Sequence, residues 1–261
     1  MIKKLLKYDI KKMTRILIYL YICAVAFAGI TRIINIGDNI QVIAIIGSVF
    51  EGITYSLLCS VLVNTIIHIL ANFITSFYKD ESYLTHTLPV TKGKLLLSKY
   101  IASLIVIFCS VIVCFVSLFI MLYSKAFAVG FKAFIETSLS GFNMPVWGTI
   151  TLIAGLIFVQ ICAIMSMSFV AIIKANTYNE KRLFKGILWF FVYYFGAATC
   201  MILVAVVIFA ISGNITALFA EKLTQTAFIT VLVLCLVMYF ALAVLYYFIA
   251  HKLFKKGVNV D

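Results

Sequence analysis

Six long apolar runs, at residues 16–34, 44–77, 96–122, 149–173, 187–211 and 228–250, dominate this sequence. Each is about as long as, or longer than, the roughly 20 residues an α-helix needs to cross about 30 Å of hydrocarbon. Lipid offers no partner to a backbone amide, so only helices and closed barrels can span it. The runs do not alternate in polarity as barrel strands do, which leaves helices. The expected fold class is therefore an all-α integral membrane protein with six transmembrane helices. No segment between or beyond the runs is long enough for a soluble domain, so 1–261 reads as a single transmembrane domain. The second run is overlong, at about 50 Å if wholly helical. Either it begins with an interfacial or re-entrant piece around Ile43–Glu51, or it continues into the cytoplasm.

Orientation follows from the basic residues, which collect on the cytoplasmic side of a membrane protein. With both termini inside, the inner segments hold Lys3, Lys4, Lys7, Lys11, Lys12 and Arg15, then Lys79, Lys92, Lys94 and Lys99, then Lys174, Lys181, Arg182 and Lys185, and finally Lys252, Lys255 and Lys256. Only Arg32, Lys125, Lys132 and Lys222 of the 21 lysines and arginines fall outside. This asymmetry accounts for the net charge of +12 without nucleic acid. The partner of such a basic face is anionic inner-leaflet lipid.

The opening MIKKLLKYDIKKMTR sets Ile2, Leu5, Leu6, Ile10 and Met13 on one helical face, with its lysines largely on the other. Residues 1–15 are thus predicted to form an amphipathic helix along the inner membrane surface, with no cleavable signal peptide. Between the third and fourth spans, Phe127, Phe131, Phe134, Ile135 and Leu139 can dip into the outer interface, with Trp147 as a belt residue. On the fifth span, Trp189, Phe190, Phe191, Tyr193 and Tyr194 read as an inner interfacial belt.

Reactive chemistry is sparse. The seven cysteines all lie in apolar runs without a CxxC pair, and they read as small hydrophobes rather than metal or disulfide ligands. His68, His86 and His251 are far apart, and no HExxH, Gly-x-Ser or GxGD motif occurs. The Gly93-Lys94 pair lacks the upstream glycine and the following Ser or Thr of a P-loop, so no Walker site exists in this sequence. The sequon at Asn214 reads as chance. No catalytic residue, no metal site and no bound cofactor are expected.

Within the spans the ionisable exceptions are Glu51 and His68, and no buried charge pair is evident. Ser56, Ser60, Asn64, His68, Asn72 and Ser76 recur every four residues. A four-residue period drifts by about 40° per step on a 3.6-residue helix, so this row winds around the second span. Ser60, Asn64, His68 and Asn72 stay within about a third of a turn. They either bind helices together or line a translocation path or subunit interface.

The segment KDESYLTHTLPVTKGKLLLSK, residues 79–99, is unusually polar for its surroundings. Its core, Asp80-Glu81-Ser82-Tyr83-Leu84-Thr85-His86-Thr87-Leu88-Pro89-Val90, with Ser98-Lys99 beyond, resembles the first cytoplasmic loop of Firmicutes-like permeases of the ABC type-2 family. The six-span layout, the amphipathic N-terminus and the basic tail Lys255-Lys256-Gly257-Val258-Asn259 are similar too, although the tail is an imperfect match.

The resemblance implies the transmembrane permease subunit of an ATP-driven exporter in a bacterial plasma membrane. It also implies a separate cytoplasmic ABC ATPase that binds ATP and Mg, and a second permease copy or paralogue. Residues 79–87 then look like a coupling helix, with Lys79, Asp80 and Glu81 as charged contacts and Tyr83, Leu84 and Leu88 as apolar ones. Pro89 pushes Leu88 out of the helical region and ends the element, and Thr91 can cap the helix that follows. The cargo implied is an amphipathic, peptide-like or antibiotic-type compound. An ion-coupled secondary transporter, and a non-transporting immunity or sensor subunit that binds the same ATPase, are the alternatives.

Overall fold

The computed structural model of the chain describes residues 2–36, 41–79, 81–87, 90–122, 146–178, 181–211 and 225–255. Among these the only regular element is the helix: α1 (Ile2–Asn35), α2 (Gln41–Tyr78), α3 (Ser82–Thr87), α4 (Lys92–Leu122), α5 (Val146–Ala175), α6 (Arg182–Ile211) and α7 (Gln225–Lys255). All but α3 are long and apolar enough to cross a membrane, and each contains one of the six predicted runs. The predicted apolar face at Phe127–Leu139, the sequon at Asn214 and the tail from Lys256 lie outside the described residues.

One boundary differs from expectation, and at another the structure selects between two alternatives. The first fifteen residues form no separate surface helix: α1 runs unbroken for 34 residues, about 51 Å. An amphipathic pattern gives way to an apolar one there, but no glycine or proline occurs before Gly29 to interrupt the backbone hydrogen bonds. The overlong second run is the single helix α2 of 38 residues, without a re-entrant break around Ile43–Glu51. Gly47 and Gly52 lower helix propensity there without removing a donor, so the helix continues through both.

The chain divides into two compact units, Met1–Ser76 with Tyr83–Ala133, and Phe77–Ser82 with Phe134–Asp261. The first unit is a three-helix bundle of α1, α2 and α4. Bonds from Asp9 to Lys99, Tyr21 to Ser110 and Arg32 to Ile120 join residues 90, 89 and 88 apart in sequence, so α1 and α4 run parallel in constant register. Helix α2 returns antiparallel alongside them, with Ser76 near Lys99, Thr65 near Ser110, Thr54 near Thr31 and Glu51 near Asn35.

Small residues make this close approach feasible. Ala24 and Ala28 of α1 are fully buried, as are Ser103, Ser110 and Ser117 spaced every seven residues on α4. On α2 the buried positions Thr54, Leu58, Val61, Thr65, Ile69, Asn72 and Ser76 follow an eleven-residue repeat, close to the period of a straight helix. Ala24, Leu58, Val61 and Cys114 form an apolar centre, closed by Leu20, Tyr21, Leu62 and Leu118.

In the second unit α5 packs against both α6 and α7. Asn176 ends α5 by returning its backbone and side-chain N–H groups to the Ile172 carbonyl, at 3.1 and 2.8 Å. Lys181 then turns the chain with φ of 51°, and its carbonyl accepts from Lys185 in the first turn of α6. Tyr193 and Tyr246 meet edge to face at 5.6 Å, and the Tyr246 hydroxyl donates to the Tyr193 carbonyl. Phe254 of α7 packs edge to face on Phe77 at 4.7 Å.

Candidate functional site

The polar stretch after α2 contains the short helix expected there, limited to the six residues Ser82–Thr87. Its start is fixed by the Ser82 amide, which donates to the Lys79 carbonyl at 2.7 Å. Thr91 occupies the capping position of α4, its carbonyl accepting from the Lys94 and Leu95 amides. Of the proposed contact residues, Lys79 is exposed, Glu81 is half-buried and Tyr83 is 80% exposed. Asp80, Leu88 and Pro89, and the Leu84 side chain, lie outside what the structure describes. Tyr83 thus gains little from burial against the described residues.

Next to this loop in sequence lies a buried ionic cluster. Lys99 Nζ donates to Asp9 Oδ1 at 2.5 Å and to Ser76 Oγ at 2.8 Å, so one ammonium bridges α4, α1 and α2. The Asp9 and Lys99 side chains are each about 5% exposed or less. Ser76 is in turn 3.5 Å from Asn72 Oδ1. Sequence alone suggests no buried charge pair; the structure contains one. Counting basic residues assigns Lys99 to the membrane surface, but its partner is 90 residues away, beyond the reach of any local pattern. Removing one member of such a pair leaves the other charge uncompensated, at a cost on the order of 3–5 kcal/mol.

The four-residue row on α2 behaves as its drift requires. Ser56 is exposed, Ser60, Asn64 and His68 are half-buried, and Asn72 and Ser76 are buried. The row therefore does not act as one surface. Asn64 donates back to the Ser60 carbonyl at 2.8 Å, and His68 has no hydrogen-bond partner among the described residues. Side-chain hydrogen bonds from α2 to its neighbours come from Thr54, Thr65 and Ser76, spaced by eleven, and from Glu51; of these only Ser76 belongs to the row. That spacing was present in the sequence, and an eleven-residue period nearly keeps to one face of a straight helix.

At the α5–α6 corner the aromatic residues split in role. Lys174 Nζ lies 3.2 Å from the centre of the Trp189 ring and 5.6 Å from that of Tyr193. Phe191 and Tyr194 are exposed. The seven cysteines are free, and no group of metal-ligating side chains occurs among the described residues. Comparison with protein-family models, with characterised proteins and with solved structures returns no match to this chain.

Proposed function

We propose that this chain is the transmembrane permease subunit of an ATP-driven ABC exporter of the type-2 family, with both termini cytoplasmic. The observation that carries this reading is Tyr83, 80% exposed on a short helix held between two membrane-length helices. In this reading α3 seats on a separate cytoplasmic ABC ATPase that binds ATP and Mg. Tyr83 and Leu84 supply apolar contact, and Lys79, Asp80 and Glu81 supply charge. Closure of the ATPase pushes on α3, and α2 and α4 act as levers. A second permease copy or paralogue completes the path for an amphipathic or peptide-like compound. The exposed lysines Lys3, Lys4, Lys7 and Lys11 on the first turns of α1 would face anionic lipid.

The test uses Tyr83→Ala together with Lys79→Glu, two exposed positions whose change leaves folding untouched. The variant is expected to insert normally and to lose the ATPase during purification. Full retention of the ATPase with undiminished transport rejects the assignment.

One observation favours a second reading. A buried Asp9–Lys99 pair is the kind of group that ion-coupled transporters use. Transport that survives vanadate and stops with an uncoupler selects that mechanism. An ATPase that is bound without any transport selects an immunity or sensor subunit.

A further inference from the structure

The loop that carries α3 has two feet, one at the end of α2 and one at the start of α4. Ser76 lies two residues before the end of α2, and Lys99 lies in the first turns of α4. The Lys99 ammonium ties these feet together through Ser76, and the same ammonium holds Asp9 of α1. Asp9, Ser76 and Lys99 are 3%, 2% and 4% exposed, so water does not replace a broken contact there.

We propose that Asp9 and Lys99, with Ser76, are positioning residues for energy coupling: a clamp that makes the N-terminal end of α1 move as one body with the loop bearing α3. This rests on the reading of α3 as the ATPase attachment. Without the clamp, a push on α3 is absorbed where the loop joins α2 and α4. With it, sliding α1 past α4 separates a buried ion pair, so the three helix ends travel together. The part of α1 that is moved carries Lys3, Lys4, Lys7 and Lys11, all exposed, so a stroke at α3 also shifts a basic face.

The experiment uses the full chain in lipid nanodiscs, alone and with its ATPase. Asp9→Asn and Lys99→Met are each expected to raise amide hydrogen exchange at least tenfold in both 2–12 and 81–87. The ATPase still co-purifies and hydrolyses ATP, but transport per ATP falls at least fivefold. Asp9→Asn with Lys99→Met together do no more damage than either alone, and Asp9→Glu restores transport per ATP, which a loss of folding would not allow.

Three outcomes overturn the clamp. One is exchange that rises in only one of the two segments. A second is transport per ATP that stays at the wild-type value while both segments loosen. The third is a double variant whose defects add. If the wild-type chain retains no ATPase, the reading of α3 fails by itself. The exchange measurement on the chain alone then decides whether the two segments are joined, and equal exchange in wild type and variants rejects the joint.

Discussion

Tyr21 and Ser110 hold their hydroxyl oxygens 2.6 Å apart across the seam between α1 and α4, and Thr65 of α2 reaches the same serine at 2.8 Å. Thr65 also contacts the Val61 carbonyl, whereas the Tyr21 hydroxyl has Ser110 as its partner. Ser110→Ala is therefore expected to destabilise the bundle by about 1–2 kcal/mol, and Tyr21→Phe by about half of that. A double-mutant cycle in detergent unfolding should return a coupling of about 0.6 kcal/mol, the usual size for a hydrogen bond between membrane helices. A coupling of zero means the two hydroxyls do not share a bond.

Gly47 and Gly52 lie five residues apart on α2 and should respond oppositely to alanine. A Cβ at Gly47 would come within 2.5 Å of Asn35 Oδ1, while one at Gly52 meets nothing within 4 Å. Asn35 donates through Nδ2 to Glu51 at 2.6 Å, so Gly47→Ala has to shift that amide and strains the bond. Gly52→Ala should stabilise α2 by up to about 1 kcal/mol through helix propensity alone. Gly47→Ala should be neutral or destabilising in the wild-type chain, and should become stabilising once Asn35→Ala has removed the obstacle. Thermal unfolding of the four variants checks the pattern.

The ammonium of Lys174 over the Trp189 ring, 3.2 Å from its centre, predicts a spectroscopic signature. In a Trp147→Phe background Trp189 is the only tryptophan. Lys174→Met should shift its emission and lower stability by about 0.5–2 kcal/mol, the range for a cation over an indole. Lys174→Arg should retain most of both. An emission spectrum indifferent to Lys174→Met places the ammonium elsewhere.

Lys181 stands at φ of 51°, a left-handed conformation that costs a side-chain-bearing residue about 1–2 kcal/mol. Lys181→Gly should relieve most of that and raise the unfolding temperature. Lys181→Val, β-branched, should lower it. If Lys181→Gly is less stable than wild type, the turn is not held in that conformation.

The six long helices were legible in the sequence because hydrocarbon thickness and backbone satisfaction leave a run of apolar residues few alternatives. The short helix at Ser82–Thr87 was expected, over residues 79–87, through the resemblance of this loop to a family; the residues themselves supplied the break at Pro89. The Asp9–Lys99 contact was not, because the charge pattern places both residues at a surface and nothing local marks a partner in another helix. The helix-binding face of α2 was half legible. Asn72 and Ser76 belong to the four-residue row, but Thr54 and Thr65 look like isolated hydroxyls until an eleven-residue period is applied. Ser103, Ser110 and Ser117 went unnoticed for a related reason: each is alone among apolar neighbours, and only their spacing of seven marks a seam.

The first unit is braced at successive levels along its length, by Lys99 with Asp9 and Ser76, by Ser110 with Tyr21 and Thr65, by Thr31 with Thr54, and by Asn35 with Glu51. A post braced from top to bottom can tilt, but it cannot dilate. Ala24, Leu58, Val61 and Cys114 fill its middle, so parting the helices at that height would leave a void where these side chains now pack.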